Sequence, residues 1–456
     1  MSSILRQTVL IAVTFILAAI HSVAGSFTNL YNFRDIDGAN PSCNLLLSGN
    51  CLIGVAVSGG SGGGGTLFNL NTDGDDFTKL FNFGGATGAN PYAGLILSGT
   101  SLYGTTGVGG SGGNGTMFKI STNGMGFTNL YNFSGGGDGA NPYAGLVLCG
   151  DILYGTTWGG GSAGNGTLFK INSDGTGYSN FYSFTAAMNS GFAYTNRDGA
   201  NPFASLVLSG NTLYGTTWVG GSSAAGTVFK VNTDGTAFTN LHSFSGSDGA
   251  RPTANLVLSG NTLYGTTWEG GGGSPGKGTV FKINADGTGF TNLHNFSGGD
   301  GANPYAGLAL SGKTLYGTTW GGGSAGNGTV FKANIDGSGF TNLHVFTTTI
   351  YNGSAYTNRD GANPRGKLML SGNTLYGTTE KGGTYGLGTA FSVTLPSADL
   401  TIKVSGSSVV LTWNDAVFQL QASPSQSNIF TNVPNASSPY TNTINGSQRF
   451  FRVQAF

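Results

Sequence analysis

The chain is poor in charged residues. Only 8% of its 456 residues are Asp, Glu, Lys or Arg, against about 25% in an average globular protein, and the net charge is +0. Binding to phosphate backbones needs clustered Lys and Arg, so we expect no nucleic acid as a partner. The scarcity of charge does not indicate disorder, because 30 Phe, 18 Tyr and regularly spaced Leu, Val and Ile provide a core.

Cysteine and helical patterning are also scarce. Cys43, Cys51 and Cys149 are an odd number without the spacing of a disulfide framework, so we interpret all three as small apolar filler. Outside the N-terminal segment we find no convincing helical period. The sequence therefore excludes a disulfide-stapled scaffold and a mainly helical protein.

The N-terminal segment has the pattern of a secretory signal peptide. Arg6 precedes an apolar run from residue 9 to residue 20, and small residues precede a predicted cut at Gly25. The run is too short for a permanent anchor, and the C-terminus has no apolar tail. We therefore expect residues 1–24 to be a signal peptide and the mature chain to be monomeric, without a transmembrane anchor, and secreted, extracellular or at the cell surface.

Glycine is the abundant residue, with 83 copies, and it marks a sevenfold repeat. In each repeat a Leu-Tyr-Gly-like triplet is followed by a glycine-rich gap, then by Gly-Thr and an apolar strand. The triplet glycines recur every 50 to 60 residues, at Gly54, Gly104, Gly155, Gly215, Gly265, Gly317 and Gly377. This period, with several short strands per repeat, is typical of a solenoid or a propeller, in which each repeat buries its core against its neighbours.

Each repeat predicts four short strands in an antiparallel meander. In the third repeat these are residues 144–148, 152–157, 167–172 and 178–184, with turns at Gly150-Asp151 and Asp174-Gly175. Four strands per repeat make a propeller blade. Small residues place the first strand innermost and aromatic residues place the fourth at the rim. The chain then begins on an outer strand, residues 27–33, which completes the last blade. We predict an all-β, closed, seven-bladed propeller over residues 25–396.

The repeat stops after Leu395-Pro396. Residues 397–456 alternate short apolar runs with Ser, Asn and Pro clusters, which predicts a small C-terminal β module resembling a sandwich. Within the propeller a block of three repeats is duplicated. Its marker is an insertion between an outer strand and the next inner strand, ending at Asp198 and again at Asp360.

The repeat phrase resembles that of a known family. Leu-Tyr-Gly-Thr-Thr at residues 213–217, a glycine-rich gap, and Gly-Thr-Val-Phe-Lys-Val-Asn at residues 226–232 resemble the GloVer tandem-repeat family of exported bacterial proteins, over nearly all of residues 27–394. The first repeat departs from the phrase at residues 52–56. The resemblance implies a propeller with a variable C-terminal attachment and no established activity. Residues 397–456 are similar to fibronectin-type-III-like modules of verrucomicrobial exported proteins.

Residue types that carry catalysis or bind metals have ordinary structural explanations here. Gly-x-Ser-x-Gly recurs in glycine-rich loops, without the strand, turn and helix of a hydrolase elbow, so we expect no catalytic residue. His242, His294 and His344 share one rim position, and one histidine per blade cannot converge on a metal. Turn formation explains the recurring aspartates. We expect no cofactor; calcium is the alternative at the Asp-Gly-Ala-Asn-Pro series, which is Asp37, Asp138, Asp198, Asp300 and Asp360.

Four tryptophans share one repeat position, where the second strand enters the glycine-rich loop. They are Trp158, Trp218, Trp268 and Trp320. In a four-stranded meander this loop emerges on the same face as the loop to the next inner strand. That second loop carries aromatic residues after its Asn-Pro pairs, namely Tyr92, Tyr143, Phe203 and Tyr305. Exposed aromatic rings stack on sugars, which makes this face a candidate ligand site. The alternative is that each Trp is a buried wedge between blades.

We therefore predict a binding or cell-surface scaffold, with polysaccharide or cell-surface glycan as the leading ligand, rather than an enzyme. A polysaccharide hydrolase or lyase is the first alternative, and it needs two or three carboxylates converging at the axis of this face. A purely structural surface protein is the second.

Overall fold

The computed structural model describes residues 26–189, 194–272 and 276–396, and between residues 401 and 455 the short stretches that form the C-terminal strands. The predicted fold is confirmed. Seven four-stranded antiparallel sheets form a ring, numbered here as blades 1 to 7. Among the described residues the helical content is a single 3-10 turn, Gly85–Thr87.

Equivalent strands in the seven blades have nearly the same lengths. The inner strands are Leu46–Ser48, Ile96–Ser98, Val147–Cys149, Val207–Ser209, Val257–Ser259, Ala309–Ser311 and Met369–Ser371. The second strands, which carry the Leu-Tyr-Gly triplet, are Cys51–Ala56, Ser101–Thr106, Ile152–Thr157, Thr212–Thr217, Thr262–Thr267, Thr314–Thr319 and Thr374–Lys381. The third strands are Thr66–Asn71, Thr116–Ser121, Thr167–Asn172, Thr227–Asn232, Thr279–Asn284, Thr329–Asn334 and Thr389–Thr394. The outer strands of blades 1 to 6 are Thr78–Asn82, Thr128–Asn132, Ser179–Ser183, Thr239–Ser243, Thr291–Asn295 and Thr341–Val345.

Blade 7 takes its outer strand from the start of the chain. Phe27–Asn32 pairs antiparallel with Thr389–Thr394, with Phe27 opposite Val393 and Asn32 opposite Thr389. This confirms the predicted closure by one strand from one end and three from the other. A further short strand, Ala362–Pro364, pairs with the end of Thr374–Lys381. Closure pairs the two strand edges that the ends of the repeat array would otherwise expose.

The core lies between blades rather than within them. One cluster joins Phe244 of blade 4 to Leu263 and Phe281 of blade 5, all of them buried. An equivalent cluster joins Tyr376 of blade 7 to Leu52 and Phe68 of blade 1, so the packing continues across the closure. Each blade therefore depends on its neighbours for burial, as expected for a repeat that has no core of its own.

Aromatic stacks also join successive blades at the rim. The His242 ring stacks on Phe290 of the next blade, with centroids 3.8 Å apart. The same stack recurs in every blade, as Tyr31 on Phe77, Phe81 on Phe127, Tyr131 on Tyr178, Tyr182 on Phe238, His294 on Phe340 and His344 on Phe27. The interpretation of the three histidines as occupants of an aromatic position is confirmed.

Both insertions contain short hairpins. Met188–Asn189 pairs with Tyr194–Thr195, and Ile350–Tyr351 pairs with Tyr356–Thr357. The three cysteines are free. Cys43 is buried, as expected of apolar filler, but Cys149 is exposed, because it lies in the turn that follows the inner strand. That part of the filler interpretation was wrong.

The propeller forms one compact unit, residues 25–395, and residues 396–456 belong to a second. The second unit contains two three-stranded sheets. One consists of Thr401–Ser405, Ser408–Thr412 and Tyr440–Thr443, and the other of Phe418–Ser423, Thr431–Asn432 and Phe450–Ala455. Its similarity to a fibronectin-type-III module stays a prediction. The predicted signal peptide lies outside the described residues. Among the residues that the structure describes, we find no helix long and apolar enough to span a membrane.

Candidate functional site

The Asn-Pro loops are fastened to the tryptophan loops of the preceding blades. Asn201, Asn303 and Asn363 each donate a side-chain N–H to the backbone carbonyl of a tryptophan in the preceding blade, at 2.8, 3.0 and 2.8 Å. The residue before the proline has left-handed backbone in all seven blades, with φ between 55° and 58°. Asn adopts this conformation more readily than most residues, which explains its recurrence. The fastened loop places the residue after the proline beside the neighbouring blade's Trp loop.

The residues after these prolines form a circle around the axis, which we call the aromatic circle. Tyr92 contacts Tyr143 with ring centroids 5.3 Å apart, and Tyr143 contacts Phe203 at 5.5 Å. Phe203 reaches across blade 5 to Tyr305 at 5.7 Å, since blade 5 has the small Thr253 at this position. The structure therefore brings together all the aromatic residues predicted after the Asn-Pro pairs.

Arg365 of blade 7 closes the circle. Its guanidinium carbon lies 4.1 Å from the ring centroid of Tyr305 and 5.9 Å from that of Tyr92. Its Nη2 donates to the Tyr305 hydroxyl at 2.7 Å. Burial lowers the pKa of Arg365, but the attraction of Tyr305 and Glu380 outweighs this effect and leaves it raised. Arg365 is therefore a fixed cation at the centre of this face.

The four tryptophans lie outside the circle on the same face, and each is half-buried. Trp158 lies 6.3 Å from Tyr143 between ring centroids, and Trp268 lies 5.2 Å from Tyr305 and 6.4 Å from Trp320. They are neither free in solvent nor the fully buried wedges of the alternative interpretation. We call the aromatic circle and the four tryptophans together the aromatic face.

Trp218 and Trp320 each have a cation over the ring, and for Trp320 it is the Lys381 ammonium, 5.7 Å from the ring centroid. The guanidinium carbon of Arg251 lies 5.3 Å from the Trp218 ring centroid, and Arg251 also pairs with Glu269 at 3.0 Å. A cation over an indole ring is attracted to the ring face and so favours one orientation of the ring.

Arg365 and Glu380 are the site residues that sequence inspection missed. Trp320 Nε1 donates to Glu380 Oε2 at 3.2 Å, and the same oxygen lies 3.5 Å from Arg365 Nη1. A signal was present in the repeat alignment. Blade 7 has Arg365 where blades 2, 3 and 6 have Tyr, and Glu380 where blades 3 to 6 have Trp. Two opposite charges replacing two aromatic residues in one repeat indicate a pair.

The carboxylates of this face are engaged in ion pairs. Glu269 and Glu380, the two glutamates of the chain, pair with Arg251 and Arg365. The loop aspartates are engaged elsewhere, since Asp198 accepts hydrogen bonds from the Tyr182 hydroxyl and the Thr185 amide. Among the described residues, we find no group of three or more His, Cys, Asp or Glu side chains placed to hold a metal.

Comparisons with known proteins agree with this architecture. A family model described as the Gloeobacter/Verrucomicrobia repeat matches residues 16–193 and 187–357. An oligogalacturonate lyase solved in complex with manganese is 11% identical, with a TM-score of 0.52 over 82% of this chain and 96% of that chain. The GH74 xyloglucanase from Xanthomonas campestris is 13% identical, with a TM-score of 0.50 over 86% of this chain and 60% of that chain. At such identities the likeness shows the propeller fold alone. No curated protein matches the sequence.

Proposed function

The chain belongs to the Gloeobacter/Verrucomicrobia repeat family, and from that premise we propose that its propeller is a binding scaffold that takes up a glycan on the aromatic face. The contact residues are Trp158, Trp218, Trp268, Trp320, Tyr92, Tyr143 and Tyr305. With the predicted signal peptide, this role is exercised outside the cell or at its surface.

One observation carries the proposal. Half-buried aromatic rings from blades 2 to 6 form one nearly continuous surface on one face of the disc, each ring held by neighbours or by a cation. Such rings stack on the apolar faces of sugars, and preorganised rings lose little conformational entropy on binding. Several weak contacts on one rigid body favour an extended polymer over a single sugar.

A hydrolase or lyase is the weaker candidate. Glycoside hydrolysis needs a proton-donating carboxyl and a second, ionised carboxylate flanking the bond. Both glutamates of the face are engaged in ion pairs with arginines, at 3.0 and 3.5 Å. This arrangement supports binding over catalysis.

The test replaces Trp218 and Trp268 by Ala, singly and together, and measures retention on insoluble polysaccharides and thermal unfolding of the same samples. We expect each single variant to lose about 3- to 10-fold in retention, which corresponds to one stacking contact, and the double variant to lose far more. The control is Met125→Ala, since Met125 is 69% exposed in a turn of the opposite face. If the Trp variants melt at a lower temperature than the parent and the parent retains no polysaccharide, the glycan-binding proposal is contradicted and the tryptophans are structural.

A further inference from the structure

A cavity of about 60 Å³ lies on the propeller axis, and equivalent residues of all seven blades line it. Arg365 and the aromatic circle form one part of its lining. The other part comes from a second ring, two residues further along each blade, which we call the axial ring. Its members are Asn44, Gly94, Gly145, Ser205, Asn255 and Gly307, which line the cavity, and Lys367, which does not. Among the described residues that line the cavity there is no Asp or Glu.

Two hydrogen bonds show the direction in which the backbone N–H of an axial-ring residue points. The Lys367 amide donates to Oδ1 of Asn44 at 2.7 Å, and the Ser205 amide donates to Oδ1 of Asn255 at 2.8 Å. In both pairs the acceptor belongs to the next blade's member of the same ring. The amide at this position therefore points along the ring, towards the space that the next member's side chain occupies.

In the other five blades the next member has no side-chain amide oxygen. The five backbone amides concerned are those of Asn44, Gly94, Gly145, Asn255 and Gly307. Their next members are, in the same order, Gly94, Gly145, Ser205, Gly307 and Lys367. Within the part of the chain that the structure describes, these five amides donate to no protein acceptor. All five residues line the cavity. Backbone N–H groups without a protein acceptor at a cavity wall are donors that an anion in the cavity can use.

The side chains of the ring add donors. Because Oδ1 of Asn44 and of Asn255 accepts a backbone hydrogen bond, the Nδ2 groups of both residues are left as donors. Lys367 belongs to the same ring, and burial lowers its pKa. Among the described residues no ion pair joins Lys367 to a carboxylate. The cavity lining thus concentrates hydrogen-bond donors beside the Arg365 guanidinium, whose ion-pair partner Glu380 lies outside the lining.

We propose that the axial cavity is an anion site, and that the glycan bound by the aromatic face is an acidic one whose carboxylate enters the cavity beside Arg365. The proposal rests on the proposed function for its polymer, and on Arg365 and the donors of the axial ring for its anion. A carboxylate offers only acceptors, which suits the guanidinium of Arg365 and the amide donors of the lining. A volume of about 60 Å³ holds about four waters or one carboxylate group, and not a sugar ring.

The first experiment compares a polyuronate with its methyl ester, which keeps the backbone and removes the charge. We expect the parent protein to retain the polyuronate about 10- to 100-fold more strongly, the range of a charge-assisted hydrogen bond. Equal retention of the two polymers would overturn the acidic assignment and leave the aromatic face intact as a glycan site.

The second experiment uses two arginine variants with the same polymers. Arg365→Gln should abolish the preference for the polyuronate. Arg251→Gln is the matched control, since Arg251 lies over Trp218 on the same face but does not line the cavity. It should keep the preference. An unchanged preference in Arg365→Gln would contradict the assignment.

A third measurement needs neither a variant nor a polymer. At constant ionic strength, sodium glucuronate and sodium acetate should raise the melting temperature of the parent, and glucose should not. If no polymer is retained but glucuronate stabilises, the anion site stands and the glycan face fails. If acetate alone stabilises, the site takes free carboxylates and the acidic-glycan assignment is overturned. If neither anion stabilises, the anion site is overturned.

Discussion

At the scale of single residues, the most regular feature is the pairing of a rim aromatic residue with an aspartate of the following loop. The Tyr31 hydroxyl donates to Asp37 at 2.8 Å, and the His294 ring lies 2.9 Å from Asp300. The other pairs are Tyr131 with Asp138, Tyr182 with Asp198, His242 with Asp248 and His344 with Asp360. Burial, and then the hydrogen bond to Asp37, raises the pKa of Tyr31 to about 12.

Blade 1 shows that this pairing can be read from the sequence. Its rim residue is Phe81, which has no hydrogen-bonding group, and its loop has Thr87 where the other blades have Asp. The aromatic residue and the loop residue therefore change together within one chain. The recurring aspartates anchor loops to the rim, a role that turn formation alone does not explain.

A first prediction concerns Asp360. Burial raises the pKa of this carboxyl, but hydrogen bonds from His344 and Thr347 outweigh burial and hold it below its ordinary value. A depressed folded pKa adds stability that is present above the unfolded pKa, about 3.9, and lost as the pH falls through the folded pKa. Asp360→Asn should cost about 1–3 kcal/mol at pH 7, and the difference from the parent should shrink below about pH 4.

Thermal unfolding between pH 7 and pH 2.5 checks this expectation. Asp75→Asn, in an exposed turn of blade 1, is the control for loss of a surface charge. If Asp360→Asn is less stable than the parent by the same amount at pH 7 and at pH 2.5, the charge of the Asp360 carboxylate does not contribute to stability.

At the scale of elements, the triplet glycine is explained by the strand beside it. A Cβ added to Gly215 would lie 2.5 Å from Cζ of Phe229 and 2.9 Å from Cδ2 of Leu206. The same pair of contacts recurs at all seven triplet glycines. The Phe229 ring is fully buried and packs against Phe184 and Phe238, so it has no free space to enter. The glycine is required by contact, not by a left-handed backbone.

Gly215→Ala should therefore destabilise the propeller by about 1–3 kcal/mol, the cost of overpacking a filled core. Denaturant unfolding measures the loss. Gly299→Ala is the control, since a Cβ there meets nothing within 4 Å. Recovery of part of the loss in the double variant Gly215→Ala with Phe229→Leu would identify the clash as the cause, and equal stability of the two single variants would exclude it.

The strands and turns of each blade were predictable because hairpin signals and apolar runs are local. The aromatic circle was not, because its contacts join residues that meet only after the ring closes. Phe203 touches Tyr305 across an intervening blade only because Thr253 is small. Five donors of the axial ring are backbone amides, which leave no trace in residue types. Sequence inspection thus identified the face and most of its rings, but neither its charged centre nor its axis.

At the scale of the whole molecule, each interface between blades repeats one design. A buried cluster lies near the middle of each pair of neighbours and a stacked pair of rings lies at the rim. The binding face is built on the same interfaces, since each Asn-Pro loop is fastened to the blade before it. A substitution that weakens one interface between blades should consequently also disturb the aromatic face, because the ring of blades is continuous.

The pairing of the first strand with blade 7 offers a test of how far the ring depends on one interface. Deleting residues 25–36 removes Phe27–Asn32, and with it the ladder to Thr389–Thr394 and the stacks of Phe27 on His344 and Tyr31 on Phe77. We expect aggregation or a large fall in melting temperature, because two strand edges become free to pair with other molecules. Light scattering with thermal unfolding measures both effects. Deletion of residues 397–456 is the control, since those residues lie outside the propeller unit and their loss should leave its melting unchanged. A propeller that lacks residues 25–36 yet stays monomeric and melts like the parent would show that the ring does not depend on its first strand.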